Sequence, residues 1–324
     1  MAGDVPANLL STYDLGFGAG SSNREDLADI VTIISPTEVP FFTSAPKTVA
    51  KLRTHEWLYD ALAAASTAGA PEGADFSGVA ITARTRITNI TQIFRKDIVV
   101  SDTQQEVDPA GVRNEYEFQV MKGMKELSRN VEATIFKAAT GGITGTEATA
   151  AIAAMRGLRG FSATAATGET GKITTAALMG LHQLQYSAGA DPDSLWVSPG
   201  VKNDLASIVL ADGNANHRII AAADHKAISN IEVFETPFGV LPVITDRFIP
   251  QSTASADGGA YFLLERSKLR LAMLRPFKHV PLPKNGDATR GFLRGELTLE
   301  VLHPSCVGVA TGVTAGTASL IFGF

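Results

Sequence analysis

The chain has 324 residues, of which 45% are hydrophobic and 19% charged, so it carries ample apolar material for a core and is not expected to be disordered. Its formal net charge of -5 excludes an overall electropositive field, which leaves any DNA contact local and nonspecific. A single cysteine, Cys306, excludes an intramolecular disulfide, and we expect that thiol to be buried as a small apolar group.

The N-terminal part of the chain predicts an arm followed by a short helix. Residues 1–24 are rich in Gly, Ser and Asn without periodicity, which is typical of a flexible arm. They lack the basic and apolar regions of a signal peptide. Residues 23–42 begin with a capping pattern and carry Leu27, Ile30 and Ile34, so they predict a helix that ends at Ser35-Pro36.

Two adjacent phenylalanines follow this segment, at Phe41 and Phe42. Either one of them contacts a neighbouring element or subunit, or both are sandwiched within one domain.

Two long β-strands are predicted next, over residues 48–61 and 79–101, where Thr, Val, Ile, Arg and aromatic residues alternate. The small residues and glycines of 63–77 between them predict a mobile loop tip. Strands of about 14 residues span roughly 45 Å at ~3.3 Å per residue, so the hairpin is expected to overhang its domain and to lie on another surface.

The clearest predicted helix runs from Asp108, as N-cap, to Gly141-Gly142. About 30 residues at 1.5 Å each give ~45 Å. One face should pack on a sheet while the charged face is solvated. The apolar stripe consists of Tyr116, Val120, Met124, Leu127, Val131 and Ile135.

The rest of the chain predicts a linker, a second lobe and returning strands. Residues 140–171 are poor in large apolar side chains and predict the linker. The second lobe has helices over 174–188 and 198–210, with strands over 194–197, 231–235 and 240–245. Strands over 260–277 and 291–303 are expected to return to the sheet under the long helix.

No pattern in the chain carries catalytic or metal chemistry. Residues 167–172 imitate a phosphate loop, but Ala166 stands at the first glycine position and Ile173 replaces the Mg²⁺-binding hydroxyl. The six histidines, including His217 and His225, lack metal-ligand spacing. Ser44 to Lys47 imitates a penicillin-recognising motif without its helix or partner motifs. We therefore expect no enzyme activity, no cofactor and no metal.

A series of short motifs in colinear order resembles the major capsid proteins of tailed bacteriophages. The resemblance covers roughly residues 23 to 310. Its motifs are Asn23 to Leu27, Ile34 to Phe41, His55 to Trp57, Lys122 to Glu132, Val197 to Gly200, Phe238-Gly239, Leu274 to Phe277, Leu282 to Asp287 and Glu296 to Glu300.

This resemblance implies an α+β capsid fold with an N-terminal arm, an extended hairpin loop, a peripheral domain with a long spine helix, and an inserted axial α/β domain. The expected boundaries are 1–47 for the arm and short helix, 48–101 for the hairpin loop, 102–171 with 259–324 for the peripheral domain, and 172–258 for the axial domain. The apolar tail 317–324 has no counterpart in the resemblance.

The implied function is structural: hexamers and pentamers that close an icosahedral head around the phage dsDNA genome. Expected partners are further copies of the chain, a separate scaffolding protein, a portal and a decoration protein, with nonspecific contact to packaged DNA and none to a membrane. The expected location is the virion capsid, and the host cytoplasm during assembly. Covalent Lys to Asn cross-links, which some members form, cannot be matched to residues here.

Three alternatives stay open: an encapsulin-like nanocompartment shell of the same fold, a phosphate-binding enzyme built on 167–172, and a phage adhesin.

The expected inter-subunit contacts are Phe41, Phe42, Arg53, His55, Trp57, Arg86, Arg95, Arg275, Phe277, Lys284 and Asp287.

Overall fold

The computed structural model describes residues 35–67, 83–107, 114–144, 152–166, 172–211, 231–250 and 259–313, apart from 36, 163 and 285, together with residues 69, 72, 73, 75 and 112. The predictions for the arm 1–24, the start of the helix 23–42, the phosphate-like loop 167–171, His217, His225 and the tail 317–324 lie outside the described residues.

The described residues form six α-helices and fourteen β-strands. The helices are α1 Pro40–Ser44, α2 Asp102–Glu106, α3 Glu115–Lys137, α4 Leu158–Phe161, α5 Thr175–Ser187 and α6 Pro199–Ala211. The strands are β1 Lys47–Val49, β2 Thr54–Tyr59, β3 Thr85–Ile90, β4 Gln92–Ser101, β5 Gly142–Thr144, β6 Ile152–Ala154, β7 Thr164–Ala166, β8 Ser194–Val197, β9 Val233–Thr236, β10 Gly239–Thr245, β11 Ala260–Leu264, β12 Leu269–Leu282, β13 Ala288–Val301 and β14 Val307–Thr311.

A four-stranded sheet lies beneath the long helix α3, as the sequence predicts. Its order is β1-β12-β13-β4, with β1 parallel to β12 and the other pairs antiparallel. Leu127, Val131 and Ile135 of α3 are buried in one cluster with leucines of β12 and β13. A Cβ at Gly123 would come within 2.8 Å of Leu293 Cδ1, so glycine lets α3 lie close to the sheet.

A six-stranded mixed sheet forms the second layer, in the order β7-β14-β11-β8-β10-β9. A second hydrophobic core packs against this sheet and contains Leu178 and Leu181 of α5 together with Val201 and Leu205 of α6. Four buried aromatic rings join the two sheets across the molecule, because Phe136 of α3 contacts Phe41, Trp196 and Phe262. The predicted helices and strands of 174–245 are confirmed within a few residues.

The prediction of two uninterrupted hairpin strands is wrong. The chain breaks after Val49 and again at Thr91, so the hairpin proper is β2 paired with β3 over six residues each. The strand β4 leaves the hairpin and pairs with β13 along ten residues. At the second break, the Thr91 N–H donates to Arg53 O at 2.8 Å, and its hydroxyl donates to the buried Glu296 carboxylate at 2.7 Å.

The long helix is shorter than predicted. It covers 23 residues because the Asn114 side chain caps it, accepting from Glu117 N at 3.2 Å, and it ends at Lys137. The predicted cap at Asp108 lies outside the described residues. Of the predicted stripe, Leu127, Val131 and Ile135 are fully buried, whereas Met124 is 38% exposed.

The predicted linker 140–171 is also corrected, since it contributes to the core. Met155, Leu158 and Phe161 are buried in the cluster under α3, and β7 pairs with β14. The segment around these three side chains is rich in small residues, so its average composition did not indicate that part of it is buried in the core. The six-stranded sheet contains β11 and β14, so the sheet boundaries differ from the expected domain boundaries at 172–258 and 259–324.

Candidate assembly surface

The inner face of the β2–β3 hairpin is attached to the body of its own chain. Trp57 Nε1 donates to the carbonyl of Val301 at 2.7 Å, and the Tyr59 ring contacts His303 edge-on at 4.8 Å. His55 Nε2 lies 3.3 Å from Glu300 Oε2, and both side chains are largely buried. The described part of the hairpin is therefore anchored rather than free.

Asn89 fastens the hairpin base to the segment before α4. Its Oδ1 accepts from Arg156 N and its Nδ2 donates to Arg156 O, both at 2.9 Å, while Nδ2 also donates to Leu299 O. The Arg156 guanidinium stacks 3.7 Å from the centre of the Phe161 ring. Burial lowers the pKa of Arg156, and the ring face and the Thr88 carbonyl compensate the buried cation.

No helix or strand of the described residues covers the outer face of the four-stranded sheet, the face away from α3. We define the outer sheet face by eight residues: Ile93, Arg95, Asp97 and Val99 of β4, their neighbours Arg290, Phe292 and Arg294 on β13, and Lys278 of β12, which pairs with Arg294. Glu296, the β13 partner of Ile93, is buried and is not part of this face. Ile93 and Val99 are 54% and 61% exposed. Four cations and one carboxylate make this face basic around an apolar centre.

Two arginines lie directly opposite each other on this face. Arg95 of β4 is the register partner of Arg294 of β13, a like-charge arrangement that is unfavourable in isolation. Both guanidinium groups lie over the Phe292 ring, at 5.1 and 5.8 Å, and Arg95 Nε donates to Asp97 at 2.6 Å. The ring holds the two cations together, and Asp97 pairs with only one of them, so the cluster keeps a net positive charge.

Two ion pairs lie at the margins of this face. Arg275 Nε donates to the buried Glu296 carboxylate at 2.8 Å, and Thr91 donates to the same carboxylate. At the β12–β13 turn, Lys284 Nζ donates to Asp102 at 2.6 Å. The hydrogen bond from Lys284 holds the pKa of the exposed Asp102 carboxyl below its ordinary value.

The two phenylalanines of α1 face different neighbours within the chain. Phe41 is 2% exposed and packs edge-on against Phe136 and Trp196. Phe42 is half-buried against Phe277 at 6.0 Å, with Lys47 Nζ 4.9 Å from its ring centre. Both rings therefore have contacts within the chain, and a contact of the half-buried Phe42 with a neighbouring subunit stays a prediction.

A buried carboxyl pair lies where α1, α3 and the end of β10 meet. Glu132 accepts from the backbone N–H groups of Phe41 and Phe42, both at 2.7 Å. Burial, followed by the neighbouring Asp246 carboxyl, raises the pKa of Glu132 to about 9. Asp246 is also buried, its pKa is raised by that burial, and it accepts from Phe248 N at 2.7 Å. The pair therefore holds a proton at neutral pH.

The structure does not bring the predicted contact residues to one place. Phe41 and Trp57 are buried inside the chain, His55 is bound to Glu300, Phe42 pairs with Phe277, and Lys284 with Asp287 lies at the β12–β13 turn. Five of the predicted residues are charged and exposed: Arg53, Arg86, Arg95, Lys284 and Asp287.

Sequence reasoning missed the exposed apolar side chains Val49, Leu52, Leu58, Ile93 and Val99. A signal was present in β4, where Ile93 and Val99 point opposite to the buried Phe94, Ile98 and Val100. Apolar residues on both faces of a strand indicate a strand that is covered on both sides.

Three further observations concern the thiol of Cys306, metal binding and membrane spans. Cys306 is buried, as expected, and burial followed by Glu265 raises the pKa of its thiol to about 12. Within the described ranges, no group of three His, Cys, Asp or Glu residues could hold a metal ion. In the same part of the chain, no helix combines the length and hydropathy needed to span a bilayer.

Known proteins match the chain by sequence profile and by fold. The profile of the family described as SU10 major capsid protein matches residues 10–314. No curated protein sequence matches the chain.

Solved capsid structures share the fold at low identity. The capsid protein of cyanophage A-1(L) is 12% identical, with 90% of this chain and 97% of that chain covered and a TM-score of 0.68. The capsid protein of a native GTA particle is 13% identical, covering 94% and 100%, with a TM-score of 0.62. The SrpI encapsulin of Synechococcus elongatus PCC 7942 is 10% identical, covering 91% and 94%, with a TM-score of 0.55.

The family profile spans nearly the whole chain, and the fold agrees with it. This chain belongs to the SU10 major capsid protein family, and its function is that of a structural capsid shell protein.

Proposed function

We propose that the chain assembles into hexamers and pentamers that close an icosahedral head around phage dsDNA, and that residues 54–83 of each subunit lie on the outer sheet face of an adjacent subunit. The observation that carries this contact is complementarity of charge. Residues 54–83 contain no Lys or Arg but four carboxylates, at Glu56, Asp60, Glu72 and Asp75. Glu56 and Asp60 pair with Arg86 and Arg84 of the same hairpin, so the charge proposed to meet the neighbour is that of Glu72 and Asp75. The outer sheet face has four cations around exposed Ile93 and Val99.

The contacts of the hairpin within its own chain support the proposal that its outer face meets the neighbouring subunit. The inner face of β2 and β3 is already occupied by Val301, Glu300 and His303 of the same chain. The outer face, with Leu58 at 56% exposure and the Glu56–Arg86 ion pair at 3.3 Å, stays open to a partner. Contacts of this kind pair two different surfaces, and such heterologous pairing builds rings.

The predicted domain roles belong to the same proposal. The helix α3 acts as the spine of the peripheral domain, and residues 172–258 lie around the ring axis. Of the predicted contact residues, we retain Phe42, Arg53, His55, Arg86, Arg95, Arg275, Phe277, Lys284 and Asp287. Phe41 and Trp57 are omitted because their side chains are buried in their own chain.

Other partners follow from the shell role. A separate scaffolding protein, a portal and a decoration protein complete the assembly, which takes place in the host cytoplasm. Packaged DNA contacts the inner surface without sequence preference, because a net charge of -5 supplies no general attraction.

The encapsulin-like alternative is favoured by one observation, the fold shared with the SrpI encapsulin. That TM-score of 0.55 is lower than the 0.68 and 0.62 of the two phage-type capsids. The contents of purified particles separate the two functions: dsDNA in particles from infected or induced cells supports the head, and a packaged enzyme without DNA supports the nanocompartment.

The contact itself is tested by charge reversal. Changing Arg95→Glu and Arg294→Glu together should abolish sedimenting particles while the circular dichroism and melting temperature of the subunit stay close to wild type. Adding Glu72→Lys and Asp75→Lys should restore particles. Lys268→Glu, which reverses an exposed lysine outside this face, is the matched control. Assembly that survives the double reversal, or fails equally in the control, would overturn the proposed contact.

A further inference from the structure

We propose that residues 23–34 of each chain bind as an amphipathic helix in a groove along α3 of the same chain, so that the arm is fixed to its own subunit before it reaches a neighbour. This inference concerns how the arm leaves the subunit and is independent of the hairpin contact proposed above.

The groove is apolar at its floor and basic at its edges. It has a volume of about 670 Å³, which is within the size range of sites that bind side chains or small ligands. Phe118, Met121 and Met124 line it, and Met121 is 61% exposed. Lys122, Lys125 and Arg129 also line it. Arg129 Nε is buried and has no hydrogen-bond partner within the described ranges.

The path of the chain leads residues 23–34 to this groove. Glu132 on α3 holds the N–H groups of Phe41 and Phe42, which fixes one end of the path. Ser35 and Thr37, just before that point, line the groove. The segment before Phe41 thus comes from the N-terminal half of α3 towards Glu132, so its N-to-C direction is parallel to that of α3.

The lengths agree. The groove residues of α3 extend from Phe118 to Arg129, a distance of 11 helical residues, or about 17 Å at 1.5 Å each. Twelve residues, 23–34, span about 18 Å as a helix. The segment can therefore cover the groove without a long connection.

The sequence of the segment complements the groove. Leu27, Ile30 and Ile34 fall on one helical face, the spacing that helix-in-groove binding uses. The segment carries Glu25, Asp26 and Asp29 against the single cation Arg24, so its net charge is opposite to that of the groove, which contributes Lys122, Lys125 and Arg129 against Glu126. Asp26 flanks the apolar face of the helix, whereas Glu25 and Asp29 lie nearer its opposite side. Glu126 is itself paired with Lys96 at 2.8 Å, so the edge of the groove is basic.

Oxidation of methionine measures whether the groove is covered. The full-length chain is treated with dilute hydrogen peroxide at concentrations where sedimentation shows no larger species, and sulfoxide at each methionine is followed by mass spectrometry. We expect Met121 and Met124 to oxidise several-fold more slowly than in the Leu27→Asp/Ile30→Asp variant. Met155, which is fully buried, and Met179, on α5, should be unchanged between the two proteins.

A matched substitution controls for general effects of added charge. Thr32→Asp places the same group on the opposite face of a helix over 23–34 and should leave Met121 and Met124 protected. Fast oxidation of both methionines in the wild-type chain would overturn the proposal. So would protection that appears only as protein concentration rises, because the occupant would then be a second copy. Equal loss of protection in Thr32→Asp and in the double variant would also overturn it.

Discussion

Glu132 of α3 accepts a 2.7 Å hydrogen bond from the backbone N–H of Phe41, which lies 91 residues earlier in the chain. The first N–H groups of a helix have no partner inside the helix, and a carboxylate is a favourable acceptor for them. Here the cap of α1 comes from a distant helix, with Phe42 bound to the second oxygen. This contact joins the start of the described chain to the junction of the two sheets.

Replacing Glu132 should release α1 at a substantial cost in stability. In Glu132→Gln the amide can accept from only one of the two N–H groups and turns a donor towards the other. We expect a loss of about 1–3 kcal/mol in the free energy of unfolding, the usual cost of a buried donor left without an acceptor. Urea unfolding measures it.

Glu126→Gln is the control for this change, because Glu126 lies on the same helix in a partly exposed ion pair with Lys96. Its effect should stay within about 1 kcal/mol. Equal losses in the two variants would contradict the capping role of Glu132.

Stability should depend on pH through the same carboxyl pair. Because burial and Asp246 raise the pKa of Glu132 to about 9, the folded chain keeps a proton that the unfolded chain releases near the ordinary glutamate value. The contribution is complete below that ordinary value, declines as pH rises, and is lost by about pH 9. The expected slope is a decrease of up to about 1.4 kcal/mol per pH unit from this site.

Asp246→Asn should flatten that slope. The carboxamide keeps an oxygen for Phe248 N and can donate to Glu132, so the like-charge repulsion disappears. Urea unfolding of wild type and variant at pH 6, 7.5 and 9 checks this. A variant whose stability falls with pH as steeply as that of the wild type would show that burial alone, without Asp246, raises the pKa of Glu132.

Gly295 should resist substitution because Phe277 covers it. A Cβ there would approach the Phe277 ring to 2.5 Å, so Gly295→Ala must displace the ring and with it the contact to Phe42. We expect a loss of about 1–3 kcal/mol from overpacking. Gly180→Ala, at an open position within α5, should instead stabilise by about 0.5–1 kcal/mol. Thermal unfolding compares them, and two changes of the same sign would contradict the packing described.

Trp57 should anchor the hairpin through its indole N–H. Trp57→Phe keeps much of the buried ring but leaves the Val301 carbonyl without its donor, at a cost of about 1–3 kcal/mol. Hydrogen exchange of the β2 amides should accelerate. Leu58→Ala, on the exposed face of the same strand, should change stability by about 0.5 kcal/mol or less. Unchanged exchange in Trp57→Phe would show that the hairpin is held elsewhere.

The sequence predicted the elements whose periodicity is long and regular. The stripe through Leu127, Val131 and Ile135 located α3, because repeated burial on one face leaves a readable period. The strand β8, Ser194 to Val197, was also predicted, although all four of its residues are buried and show no such period. The hairpin was predicted too long, because the breaks near Arg53 and Thr91 are set by tertiary hydrogen bonds. A strand pattern does not record such partners.

The site was harder to predict than the fold. Trp57 was predicted as an inter-subunit contact, but its indole N–H donates to Val301 of the same chain. The spacing of residues in a sequence does not show whether a tryptophan packs inside its own chain or at an interface. Arg95 was predicted as a contact, but its cross-strand partner Arg294 depends on the register between β4 and β13. The cap from Glu132 to Phe41 joins residues 91 apart and has no local signature.

The central claim is that this chain builds a shell, and the most direct test is sedimentation with negative-stain electron microscopy of the protein expressed alone and with its neighbouring genes. We predict rings, sheets or closed shells, with a scaffold required if they form only in the presence of the neighbouring products. A chain that stays a small monomer at high concentration under both conditions would contradict the assignment.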